Sequence, residues 1–331
     1  MKPSQLKQHL INSFHAKTPS MIWGQPGIGK SDIVRLIAQI LGVGLIDQRL
    51  SQMDPVDMRG IPFKEVIDKV AYTMWATPGF LPNPERDGEA GILFLDEINT
   101  APQMIQAAAY QLILDRRLGD YVLPDNWVVI AAGNRAEDGA IAVRMSSALA
   151  NRFGHWELDV NFDEWKDWAI GNNIHEDIIS FLNYKSELLN DFDRDKHAFP
   201  TPRSWEMFNK HFPLLDESTM FNTLKGFVGK GVASEFVGYM QNKEQIPQLH
   251  EILQDPKGCR LPNEPSAMYA MGGMVAAKAE KDNFGAILEY LGRVPEEYQV
   301  VSVQDAIRHN NDLGSTKEFI DWSIKNNGVI L

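Results

Sequence analysis

Gly24, Gln25, Pro26, Gly27, Ile28, Gly29, Lys30 and Ser31 read GQPGIGKS, which fits G-x-x-x-x-G-K-[ST] at every position. An apolar stretch, Ser20 to Trp23, leads into these residues and an amphipathic one follows, so the glycines fall where a strand turns into a helix. Gly24, Gly27 and Gly29 permit backbone conformations that turn successive N–H groups toward phosphate oxygens, and the helix N-terminus adds its dipole. Lys30 can then reach the β- and γ-phosphates, while the Ser31 hydroxyl is placed to ligate magnesium. These eight residues predict a bound ATP with Mg²⁺.

Two further stretches carry polar side chains out of apolar runs. ILFLDE, Ile92 to Glu97, has four apolar residues and then two acids, as expected of a buried strand that delivers carboxylates at its C-terminal end. Asp96 would hold the magnesium through its water shell, and Glu97 has the place of a general base toward an attacking water. WVVIAAGN ends in Asn134, whose amide could orient that water or contact the γ-phosphate from a neighbouring strand tip.

The elements that must position these groups alternate in type through the first half of the chain. Candidate strands are Ser20 to Trp23, Leu45 to Arg49, Ile92 to Leu95, Trp127 to Ala132 and His155 to Leu158. Ile33, Val34, Ile37, Ile40 and Leu41 lie between the first two at helical spacing, stopped by Gly42. Short apolar runs alternating with helical periodicity predict an α/β fold, a parallel five-stranded sheet in an αβα sandwich. Beyond about Val160 helical patterns take over in Asp163 to Ile170, Glu176 to Leu189, Pro202 to Phe212 and Ser218 to Tyr239. A Pro-punctuated helical segment runs from about Asn242. The expected domains are 1–159, nucleotide-binding; 160–241, all-helical; and 242–331, a helical C-terminal extension. In TPRSWEMF, Thr201 reads as an N-cap and Pro202 as the first helical residue. Arg203 in the first turn opposes the helix dipole, which an anionic ligand would explain.

With 331 residues, 44% hydrophobic and 23% charged, the chain is long enough for a sizeable core and has no disorder signature. A formal charge of −12 opposes non-specific nucleic-acid binding, which depends on Lys and Arg. The single Cys259 excludes an intrachain disulfide and a cysteine-built zinc site, and the eight histidines show no H-E-x-x-H pair. No stretch approaches the apolar length of a membrane span, and the N-terminus lacks a cleavable apolar leader, so a cytoplasmic protein is expected.

The three strand-end elements resemble the AAA+ ATPases, and the wording around them is most similar to the MoxR family. The resemblance covers roughly the first two-thirds of the chain, on GQPGIGKS, LSQMDPVDMRGIP, ATPGFLP, FLDEINTAPQMIQAAAYQLI, and AAGNRAEDG followed by SSALANRF. It implies a homo-oligomeric, hexameric ring whose hydrolytic site is shared between subunits, with the helical segment after the sheet acting as a lid. Asn134 then corresponds to the first sensor, Arg203 to the second sensor in the lid, and Arg152 to an arginine finger offered to the next subunit. The family commonly has Asp-Arg-Phe where this chain has Asn151, Arg152 and Phe153, which leaves Arg144 as a competitor for the finger. The segment Phe63 to Pro82 resembles a hairpin insert on the ring face, whose Tyr72, Met74, Trp75 and Phe80 could grip a client or pack as a buried hairpin face. Gln103 and Gln106, on the helix after the acidic strand, would face a pore or solvent. The implied output is remodelling or maturation of a protein client, alongside a partner with a von Willebrand factor A domain. Three rivals share the loop. A small-molecule kinase would need an acceptor, a nucleic-acid ring motor a basic channel, and an ATP-gated scaffold no base at Glu97.

Overall fold

The computed structural model describes residues 1–135, Met145, 147–243 and 246–326. The chain divides into two units, Met1–Asn161 and Phe162–Leu331.

In the first unit α1 (Pro3–His15), β1 (Ser20–Trp23), α2 (Lys30–Leu41), β2 (Gly44–Arg49) and α3 (Pro55–Arg59) lead to a hairpin of β3 (Pro62–Ile67) and β4 (Val70–Trp75). After α4 (Pro84–Asp87) come β5 (Gly91–Asp96), α5 (Gln103–Asp115), the short ribbon β6 (Arg117–Leu118) and β7 (Tyr121–Val122), β8 (Trp127–Gly133), α6 (Ser147–Ala150) and β9 (Gly154–Glu157). Five strands form one sheet in the order β2-β5-β8-β1-β9, and every neighbouring pair is parallel. β5 and β8 lie inside this order and are buried along their whole length, so they read as unbroken apolar runs rather than alternating ones. Alternate side chains go to opposite faces. Leu93, Leu95, Val129 and Ala131 pack with Ile105, Ala109 and Leu112 of α5. Ile92, Phe94, Ile130 and Ala132 pack with Leu6 and Leu10 of α1 and Val34 and Ile37 of α2. The outcome is the expected αβα sandwich. Because the strands are parallel, the C-terminal tips of β1, β5 and β8 come out on one edge.

Two local expectations change. Gln106 is 2% exposed, donating to the Ala101 carbonyl at 2.9 Å and accepting from Tyr110 at 2.5 Å, so it caps the entry to α5 and faces neither pore nor solvent. The hairpin has no buried face: Phe63, Val66, Ile67, Val70, Tyr72 and Trp75 are all exposed. Its strands are joined by Asp68 and Lys69, both at positive φ, 51° and 66°, the backbone hand a two-residue turn requires.

The second unit is helical: α7 (Phe162–Gly171), α8 (Glu176–Tyr184), α9 (Pro202–His211), α10 (Glu217–Val228), α11 (Lys230–Lys243), α12 (Leu249–Gln254), α13 (Pro265–Ala277), α14 (Phe284–Leu291), α15 (Glu296–His309) and α16 (Lys317–Lys325). The periodic stretch Ser218 to Tyr239 is two helices rather than one. Gly229 between them has φ +86°, and a Cβ there would lie 2.8 Å from the Ala198 carbonyl oxygen, so a left-handed glycine breaks the run. Phe181, Trp205, Phe208 and Phe236 form an aromatic core. α8 also packs against α13, where Gly273 has no room for a Cβ beside Ser180; residues on both sides of position 241 thus share one interior. Lys166 of α7 and Asp305 of α15 pair at 2.7 Å with both side chains 5% exposed. Asn183 of α8 bonds to both, so the buried charges are satisfied as burial demands.

Candidate functional site

The loop after β1 needs its glycines for two different reasons. Gly27 and Gly29 have φ of 79° and 93°, conformations that other residues adopt only with strain. Gly24 is required by space: a Cβ there would meet Ile28 Cδ1 at 2.6 Å and the Leu158 carbonyl oxygen at 3.0 Å. α2 starts at Lys30 directly after Gly29, so its first N–H groups open toward the loop.

The Lys30 ammonium is buried among the strand tips, donating to the Gly24 and Gln25 carbonyls at 2.7 and 2.9 Å and to Asn134 Oδ1 at 2.9 Å. Ser31 Oγ donates to Asp96 Oδ2 at 3.1 Å. A hydroxyl and a carboxylate side by side are the hard oxygen donors that magnesium takes, and these two residues fit it. Asp96 is aimed by its other oxygen, which accepts from the Glu97 N–H at 2.9 Å. Glu97 turns the chain at φ +57°, unusual for a side-chain-bearing residue and a mark of functional sites. Thus the P-loop residues Gly24 to Ser31, Asp96, Glu97 and Asn134 stand on one edge of the sheet.

The two arginines are placed differently. Arg152 follows α6 and is exposed, with no ion pair among the described residues. Arg203 belongs to the second unit. Thr201 caps α9 there, its hydroxyl accepting from the Ser204 N–H at 3.1 Å, and Arg203 is exposed in the first turn without an ion-pair partner among the described residues. Arg144 lies outside the described residues.

Three neighbours of the acids escape a reading of sequence alone. Arg49, the last residue of β2, faces Asp96 in register and its Nε is 3.4 Å from Glu97 Oε1. The Ser51 hydroxyl donates to Glu97 Oε2. Asn99 Nδ2 donates to the Asn134 carbonyl at 2.7 Å. All depend on β2, β5 and β8 being adjacent, which no local pattern states. Burial first, and then the Asp96 carboxylate, push the Asp47 carboxyl above the usual range, against the pull of Arg35 and Arg49.

Residues 19–153 match the family model of the AAA domain, dynein-related subfamily. The matched stretch is less than half of the chain. It contains Lys30, Asp96, Glu97, Asn134 and Arg152 and leaves out Arg203. A stretch of 189 residues is 26% identical to midasin of Giardia intestinalis, covering 54% of this chain and 4% of that protein. Among solved structures, NtrX of Brucella abortus is similar with TM-score 0.41 and 15% identity over 98% of this chain and 67% of that one. A RuvB variant of Thermotoga maritima gives 0.39 and 18% over 76% and 74%. No helix among the described residues is long and apolar enough to cross a membrane.

Proposed function

We propose that this chain is a ring-forming ATPase that hydrolyses ATP at sites shared between subunits and uses the cycle to remodel or mature a protein client. The observation that carries the reading is the convergence of three strand tips: Lys30 on Asn134 Oδ1 at 2.9 Å and Ser31 on Asp96 at 3.1 Å.

In this reading the N–H groups from Gly27 to Ser31 hold the phosphates and Lys30 leaves its carbonyl acceptors for their oxygens. Ser31 and Asp96 would hold Mg²⁺, which would offset the negative charge that develops in phosphoryl transfer. Glu97 takes a proton from the attacking water and Asn134 orients that water. Arg152 serves the neighbouring subunit's site and Arg203 the site of its own chain, from the lid formed by 160–241. Such a cationic finger contributes about 10³–10⁵ in rate in other phosphoryl-transfer enzymes, so an isolated subunit should be nearly inactive.

The remodelling role draws support from the exposed hairpin, whose aromatic and branched side chains offer an apolar grip, and from the charge of −12, which disfavours nucleic acid as the object of the motor. A hexamer and a von Willebrand factor A domain partner are what the resemblance to MoxR proteins implies. Glu97→Gln should keep ATP binding and lose turnover by about 10²–10⁴-fold, while Lys30→Ala loses both. Radiolabelled ATP binding beside phosphate release without any added acceptor measures the two and separates hydrolysis from a kinase reaction. Turnover at the wild-type rate from Glu97→Gln sinks the mechanism.

A further inference from the structure

Asn99 is 4% exposed, and its side-chain oxygen is buried with no hydrogen-bond partner among the described residues. The other end of the amide is engaged: Nδ2 donates to the Asn134 carbonyl at 2.7 Å. Gly133 is pressed against the same group, since a Cβ there would stand 2.4 Å from Asn99 Oδ1 and 2.8 Å from Cγ. Leucine would fill this space with a similar shape and no buried acceptor of its own, but it could not make the bond that Nδ2 makes to the Asn134 carbonyl.

What that bond holds is the tip of β8. Pairing of β5 with β8 runs up to Leu95 and Ala131. Past that point Glu97 bends the first chain out of the ladder at φ +57°. The Ile98 N–H donates to the Ala132 carbonyl at 3.1 Å and Asn99 to that of Asn134, so the two chains are stitched together again just beyond the bend. The side chain of Asn99 does here what a backbone donor does inside the ladder. Its bond ends on the residue whose own amide meets Lys30 at 2.9 Å. We propose that Asn99 is a positioning residue, which fixes Asn134 relative to Glu97 so that both address one water. The proposal rests on the hydrolytic reading above, in which Asn134 orients that water.

Four proteins test it: wild type, N99L, N134A and the double variant, each assayed for kcat, ATP affinity and melting temperature. The expected result for N99L is a kcat at least about tenfold lower, ATP affinity within about threefold of wild type, and no loss of melting temperature. Because Asn99 acts through Asn134, the double variant should be no slower than N134A. A purely structural role predicts a lower melting temperature for N99L and losses that multiply in the double variant, and either result overturns the proposal, as does a wild-type kcat for N99L. If N99L fails to fold, N99D decides. A carboxyl at that position can donate only when protonated, so its kcat relative to wild type should rise as the pH falls, and a flat ratio overturns the proposal. Absence of turnover in wild type is a different outcome, which removes the hydrolytic reading itself.

Discussion

Lys30 is 9% exposed, and the carbonyls of Gly24 and Gln25 and the Asn134 amide oxygen accept from its ammonium. Such bonds offset the cost of burying a polar head group. They also hold the side chain among the strand tips. Gly133 shows how little slack surrounds it. A methyl group there would stand 2.4 Å from the Asn99 amide oxygen and 2.8 Å from Met21 Cε. Gly133→Ala should cost about 1–3 kcal/mol, the usual penalty of overpacking, read as a shift of the urea midpoint; an unchanged midpoint would mean that the strand tip yields. Lys30, Asp96 and Glu97 were legible in the sequence because each is set by neighbours a few residues away. Arg49, Ser51 and Asn99 were not. They reach Glu97 or Asn134 across the order β2-β5-β8, and no local pattern says which side chains meet across neighbouring strands.

At the scale of elements, local chemistry decided boundaries well where a cap or a glycine spoke for them. Gly42 ends α2 at φ +65°, and Thr201 with Pro202 opens α9, both as the residue types predict. The break at Gly229 was missed because the apolar period continues through it, and only the approach of the Ala198 carbonyl makes a side chain impossible there. Asp216 offers a quantitative check on such caps. It accepts from the Ser218 hydroxyl and from Thr219 at the start of α10, and these bonds hold its pKa down at about 2, below the ordinary 3.8. A carboxyl with a depressed folded-state pKa stabilises fully above its unfolded value and loses that contribution as the pH falls through the folded one. Wild type should therefore exceed Asp216→Ala in urea midpoint by a constant margin from pH 7 down to about pH 4, and the margin should shrink below that. A margin that persists unchanged at pH 3 would show that the carboxylate charge is not what caps the helix. The hairpin β3–β4 obeys its turn residues yet buries neither face. A free two-stranded ribbon has marginal stability, which is why a docking role for it sits easily with the proposed handling of a client.

At the scale of the molecule, the first unit supplies the loop, the acids and the Asn134 amide, while Arg203 resides in the helical unit and Arg152 stands exposed without an ion pair among the described residues. In the proposed mechanism neither arginine acts in an isolated first unit: one needs the lid, the other a neighbour. Mixing Arg152→Ala subunits with Lys30→Ala subunits should restore activity that neither has alone, since a mixed interface can join an intact loop to an intact finger. No rescue from rings of normal size would place the finger elsewhere, with Arg144 next to be tried. The sheet and its order of motifs could be anticipated because parallel strands and their tips follow from local pattern and connection rules. The proposed client and partner could not, because no motif in the sequence states what they would recognise. The most direct test of the central claim is ATP turnover per subunit across a wide range of protein concentration, with Glu97→Gln as the blank. Shared sites predict a rate per subunit that climbs steeply as rings assemble and then levels, with the blank flat throughout. A rate per subunit that stays constant from dilute monomer to saturated ring would contradict them.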